Sequence, residues 1–209
     1  TAVYDLGDMA LDVVGLLDHL NIDKAHIVGV SMGGMIAQIL ALDHPERILT
    51  LTPVMTTPGF DTKGLSGPSQ SFMEAMKKSF ILNLDGRVED ASVLIQMAQT
   101  GSRFPLKESE VREKVKRIEA HGNNPYNLQT AAVGASPNRL NRLKEIQLPT
   151  LVVHGSEDPL VPLEHGLALA GQIEGSEMMI MKGVGHELPI EFIPELTNRL
   201  VSHFNSINN

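Results

Sequence analysis

The sequence contains no cysteine, and that absence excludes disulfides, thiolate metal sites and a cysteine nucleophile together. It fits a reducing compartment, so a cytoplasmic location is the expectation. No apolar run reaches the ~18 residues that a membrane span needs, and the opening TAVYDLGDMA lacks a signal-peptide layout. There is no concentrated basic run either. Lys and Arg number 17 against 25 Asp and Glu, a formal charge of −8, which makes nucleic acid an unsuitable partner. Internal repeats and low-complexity tracts are also missing. What remains is an ordinary globular composition of 209 residues, 42% hydrophobic and 20% charged. That suffices for one domain with a substantial core, or one domain carrying an insertion.

The first sixty residues alternate between helix and strand. Asp8 is expected to cap a helix whose apolar positions Met9, Val13, Leu16, Leu17 and Leu20 recur at three- and four-residue spacing, and Asn21 and Asp23 end it. Residues 25–30 (AHIVGV) and 48–54 read as buried strands, and Met35 to Asp43 between them as a helix apolar almost all round. Such alternation points to a parallel α/β sheet. From Thr57 the character changes. Helical stretches are expected near Ser69–Asn83, Val88–Thr100, Lys107–His121 and Pro125–Ala135, with no strand until Thr150. Residues 58–145 therefore read as a helical cap insertion, and 1–57 with 146–209 as the α/β core. The stripe Phe72, Met73, Met76, Phe80 suits ordinary packing against the sheet first, and a lid over an apolar ligand second. Strands are expected at 150–154 and 177–181, followed by a helix from about Pro189 to Phe204.

Gly29-Val30-Ser31-Met32-Gly33 is the single G-x-S-x-G in the chain. Alone the pentapeptide is weak, but it joins a predicted strand to a predicted helix. A sharp turn there strains the serine backbone and presents its hydroxyl above the strand end, with small flanking residues preventing clashes. The bland alternative is a tight glycine turn with a helix-capping serine. A nucleophilic serine needs a base, and the base an orienting acid. Of eight histidines, His186 follows a strand in the loop Gly183-Val184-Gly185-His186. His154 more simply supports its loop. Asp158 follows another strand in GSEDPLVP and is restricted by Pro159, with Glu157 as the rival carboxylate. The order Ser31, Asp158, His186 is that of an α/β-hydrolase triad.

On the segments DMALDVVGLLDHLNIDKAHIVGVSMGGMIAQILALDHPERI, LPTLVVHGSEDPLVP and GVGHELP, about half the chain, the sequence resembles α/β-hydrolase fold serine esterases. The branch concerned includes aclacinomycin methylesterase-type proteins; the helical middle resembles the family's cap only loosely. The resemblance implies Ser31 as nucleophile, His186 as general base, Asp158 as its acid and the Met32 N–H as one oxyanion donor. It implies hydrolysis of a carboxylic ester through an acyl-enzyme, with no metal or organic cofactor; the Met- and Phe-rich insertion points to a small apolar ester as substrate. An enol-lactonase, a C–C hydrolase or a perhydrolase could use the same triad, and a non-catalytic binding module is the reading from another class. Serine at the elbow argues against a haloalkane dehalogenase.

One departure from the family pattern stands out. In that fold four strands precede the one that carries the elbow, whereas here the elbow comes at residue 31. The four strands are expected to be the last four of eight. The preceding part, with the second oxyanion donor, is expected in another chain, cleaved but still associated, or outside this sequence. Alone, the chain would expose the sheet edge at Ala25–Val30.

Overall fold

A computed structural model describes residues 2–122 and 126–208. Helix α1 (Leu6–His19) leads into strand β1 (Ala25–Val30), helix α2 (Met32–Asp43) and strand β2 (Ile48–Val54). Four helices follow: α3 (Gln70–Leu84), α4 (Val88–Ala98), α5 (Glu108–Ala120) and α6 (Tyr126–Ala135). The chain then returns through β3 (Leu151–Gly155), α7 (Leu163–Gln172), β4 (Glu177–Met181) and α8 (Ile193–Asn205). The predicted start of the fourth insertion helix at Pro125 lies outside the described residues. None of the described helices is long and apolar enough to cross a membrane.

The strands form one parallel sheet in the order β1-β2-β3-β4. Side chains alternate across a strand, and two cores result. Ile48, Leu51 and Val152 pack with Ala37, Leu40 and Ala41 of α2, Ala10 of α1 and Leu169 of α7. Val54, Leu151, Val153 and Met181 pack with Phe192 and with Leu196 of α8. Because the strands are parallel and paired Val30 to Val54, Val54 to Val153 and Gly155 to Met181, their carboxyl ends share one edge. At the side of the sheet, Val28 and Val30 of β1 are exposed.

Three local expectations are corrected. Asp5, not Asp8, caps α1: its Oδ1 accepts from the N–H groups of Gly7 and Asp8, while Asp8 Oδ2 accepts from the Asp5 N–H. Asp8 is the reciprocal member of a capping box, and the fully buried Leu6 draws the helix start one turn earlier. The last helix is split, with a 3-10 turn over Ile190–Phe192 before α8. Pro194 has no N–H to give and fits only a first turn. Finally, of the stripe on α3 only Phe72 is buried, whereas Met73, Met76 and Phe80 are 41%, 42% and 65% exposed. Burial therefore accounts for Phe72 alone among the four.

Candidate active site

Ser31 occupies the junction of β1 and α2 with φ 54° and ψ −117°, a left-handed conformation that costs a non-glycine residue on the order of 1–3 kcal/mol. Neighbours hold it there. Its N–H donates to the Val54 carbonyl (2.9 Å), and its own carbonyl accepts from the Thr56 hydroxyl (2.7 Å). A Cβ on Gly34 would lie 2.7 Å from Thr56 Cβ, so glycine lets β2's end approach the turn. The serine hydroxyl makes no capping bond to α2, which removes the bland reading of a helix cap. Met32 opens the helix, and its N–H has no helical carbonyl four residues back. It lies at the positive end of the helix dipole.

The three sequence-predicted groups are brought together. His186 Nε2 is 2.9 Å from Ser31 Oγ, and His186 Nδ1 is 2.7 Å from Asp158 Oδ2. A carboxylate only accepts, so Nδ1 carries the proton and Nε2 accepts from the serine hydroxyl. The Asp158 side chain is fully buried and that of His186 is 7% exposed. Asp158 also makes an Asx turn. Oδ1 accepts from the N–H groups of Leu160 (3.0 Å) and Val161 (2.8 Å), leaving Oδ2 for the imidazole. Turn and orientation use different oxygens of one carboxylate.

Glu157 is directed elsewhere. It is exposed and accepts from the Ser102 N–H and hydroxyl at 2.7 and 2.8 Å. His154 supports the loop as expected: its Nε2–H donates to the Val161 carbonyl (2.8 Å), and the ring is wholly buried. Burial pushes its pKa below the ordinary 6.5, so the imidazole 3.6 Å from Asp158 Oδ2 stays neutral and leaves that oxygen to His186.

Sequence reasoning missed the polar brace beneath the elbow. Arg139 is 3% exposed and donates to Gln38 Oε1 and to the carbonyls of Thr57 and Pro137. Burial lowers its pKa to about 10. Gln38 Nε2 also donates to the Thr57 carbonyl, while the Thr57 hydroxyl donates to His165 Nδ1. Gln38, a lone amide in an apolar helix, was the available signal. A groove of about 640 Å³ between α3, α4 and α5, lined by Ile81, Leu94, Met97 and Arg112 among others, contains none of Ser31, Asp158 and His186.

Residues 2–192 match the alpha/beta hydrolase fold family. The chain belongs to that family. Among alpha/beta hydrolases, the rhodomycin D methylesterase DnrP of Streptomyces peucetius is 28% identical, over 96% of this chain and 73% of that protein. A 2-hydroxy-6-oxo-6-phenylhexa-2,4-dienoate hydrolase of Comamonas testosteroni is 34% identical, over 92% of this chain and 66% of the relative. The crystal structure of the esterase RhEst1 from Rhodococcus sp. ECU1013 is similar in fold, with a TM-score of 0.80 at 18% identity, over 99% of this chain and 74% of that one. The chain thus spans about two thirds to three quarters of the length of these relatives.

Proposed function

We propose that the protein is a carboxylic ester hydrolase in which Ser31, His186 and Asp158 act as a catalytic triad. The observation that carries the reading is the continuous relay from Ser31 Oγ through His186 to Asp158, with contacts of 2.9 and 2.7 Å. Ser31 attacks the ester carbonyl as His186 Nε2 takes its proton. Asp158 holds the imidazole tautomer and stabilises the imidazolium. The Met32 N–H, at the positive end of α2, donates to the oxyanion. His186 then protonates the leaving alcohol, and water activated by the same base releases the acid.

Residues 58–145 act as a cap on the core formed by 1–57 and 146–209. The N–H of Ser69, which caps α3, donates to the Pro159 carbonyl (2.7 Å), so this helix starts beside Asp158. Its exposed Met73, Met76 and Phe80 support an apolar acyl or alcohol group as substrate. The 34% identity to the dienoate hydrolase favours C–C bond hydrolysis on the same triad as the second reading.

Assay of a p-nitrophenyl ester series tests the proposal. Replacing Ser31 by Ala should lower kcat by about 10⁴-fold or more without loss of fold. Unchanged turnover in that variant contradicts the assignment. A wild-type protein that cleaves no ester but cleaves a 2-hydroxy-6-oxo-dienoate establishes the second reading.

A further inference from the structure

A short strap, residues 99–103, runs from the end of α4 across the loop that carries His186. The His186 N–H donates to the Gln99 carbonyl (2.8 Å), and the Arg103 N–H donates to the Gly183 carbonyl (2.9 Å). A Cβ on Gly101 would lie 2.6 Å from the Gly185 nitrogen, so the backbones touch. Between them sits Glu187. Its Oε1 accepts both the Gly101 N–H (3.0 Å) and the Gly185 N–H (3.2 Å). Its Oε2 is buried with no partner among the described residues. A carboxylate left half-satisfied in a buried position is unfavourable for stability alone. Charge-assisted bonds to two backbone donors on different segments give it a mechanical use.

We propose that Glu187 is a positioning residue for His186, clamping the strap from the helical insertion onto the histidine loop. The loop needs such a clamp because Gly183, at φ 72°, and Gly185 leave its backbone little intrinsic stiffness. The imidazole must meet Ser31 and Asp158 together, and a misplacement of about 1 Å can cost roughly 10²-fold in rate. The insertion thereby sets the base as well as covering the site. This inference rests on the Ser31–His186 reading above.

The test uses the full chain with Glu187→Ala and Glu187→Gln. Three quantities are followed: kcat and KM on p-nitrophenyl acetate, the rate of Ser31 labelling by a fluorophosphonate, and the low-field proton resonance of His186 Nδ1–H. Glu187→Ala should lower kcat and labelling by about 10- to 100-fold, leave KM nearly unchanged, and broaden or abolish the resonance. Glu187→Gln keeps the accepting oxygen and should restore most of each. A folded Glu187→Ala protein with wild-type kcat and resonance overturns the clamp. If Glu187→Ala does not fold, amide exchange in the unsubstituted protein decides. Slow exchange at Gly101 and Gly185 supports the clamp, and exchange as fast as in open loops overturns it. A wild-type protein inert to the probe, whose His186 resonance still depends on Glu187, sinks the esterase reading and leaves the clamp standing.

Discussion

A Cβ added to Gly29 would overlap the carbonyl oxygen of Gly33 and lie 2.8 Å from the Gly34 Cα, whereas one added to Gly33 would meet nothing within 4 Å. The two glycines of G-x-S-x-G are therefore unequal. The first is demanded by the close pass of β1 under the start of α2, and the last is not. Gly34, outside the motif, is the second demanded position.

Gly29→Ala is accordingly expected to destabilise the fold by about 1–3 kcal/mol and to disturb the Ser31 turn. Gly33→Ala should be neutral or stabilise the helix by up to about 1 kcal/mol. Urea unfolding of the two variants measures this. Equal losses would contradict the division of roles.

The division of labour in Asp158 makes a second pair of variants informative. Asp158→Asn keeps an oxygen for the Leu160 and Val161 N–H groups but cannot stabilise the imidazolium, so kcat should fall by about 10⁴-fold with little change in Tm. Asp158→Ala should lose that activity and also about 1–3 kcal/mol, because the buried Val161 N–H and the part-buried Leu160 N–H lose their acceptor. Kinetics and thermal melts separate the two effects. Wild-type kcat in Asp158→Asn would remove the aspartate from the chemistry.

Much of this was legible in the sequence because each group of the proposed triad follows a strand. Three of four strands have the predicted bounds, since runs such as AHIVGV are β-rich and sharply punctuated. Ser31, Asp158 and His186 then fall on one edge by topology. The brace of Gln38, Thr57, Arg139 and His165 was not legible, because its partners lie 19 to 108 residues apart and none belongs to a local motif. Glu187 was hidden for the same reason: its significance comes from Gly101, 86 residues away. Of the two readings of the α3 stripe, packing was put first wrongly for Met73, Met76 and Phe80, because apolar periodicity reports which residues share a face, and not what that face meets.

Glu187 also has a thermodynamic signature. Burial raises its pKa above the ordinary 4.5, outweighing the two N–H donors that lower it. A raised folded value means that the native state holds this proton more tightly than the unfolded chain. The stabilisation is complete below pH 4.5 and is lost as the pH rises through the folded value. Glu187→Gln, which cannot ionise, should therefore melt above the wild type at pH 8, with the gap closing towards pH 4. Melting curves across that range check the sign. A gap that widens on acidification would contradict it.

The central claim is that His186, oriented by Asp158, activates the Ser31 hydroxyl. Intact-mass and peptide analysis after exposure to a fluorophosphonate tests it most directly. The expected result is one covalent adduct, on Ser31, absent from Ser31→Ala and slowed by orders of magnitude in His186→Ala. A folded wild-type protein that takes up no adduct, or takes it up at another serine, would contradict the claim.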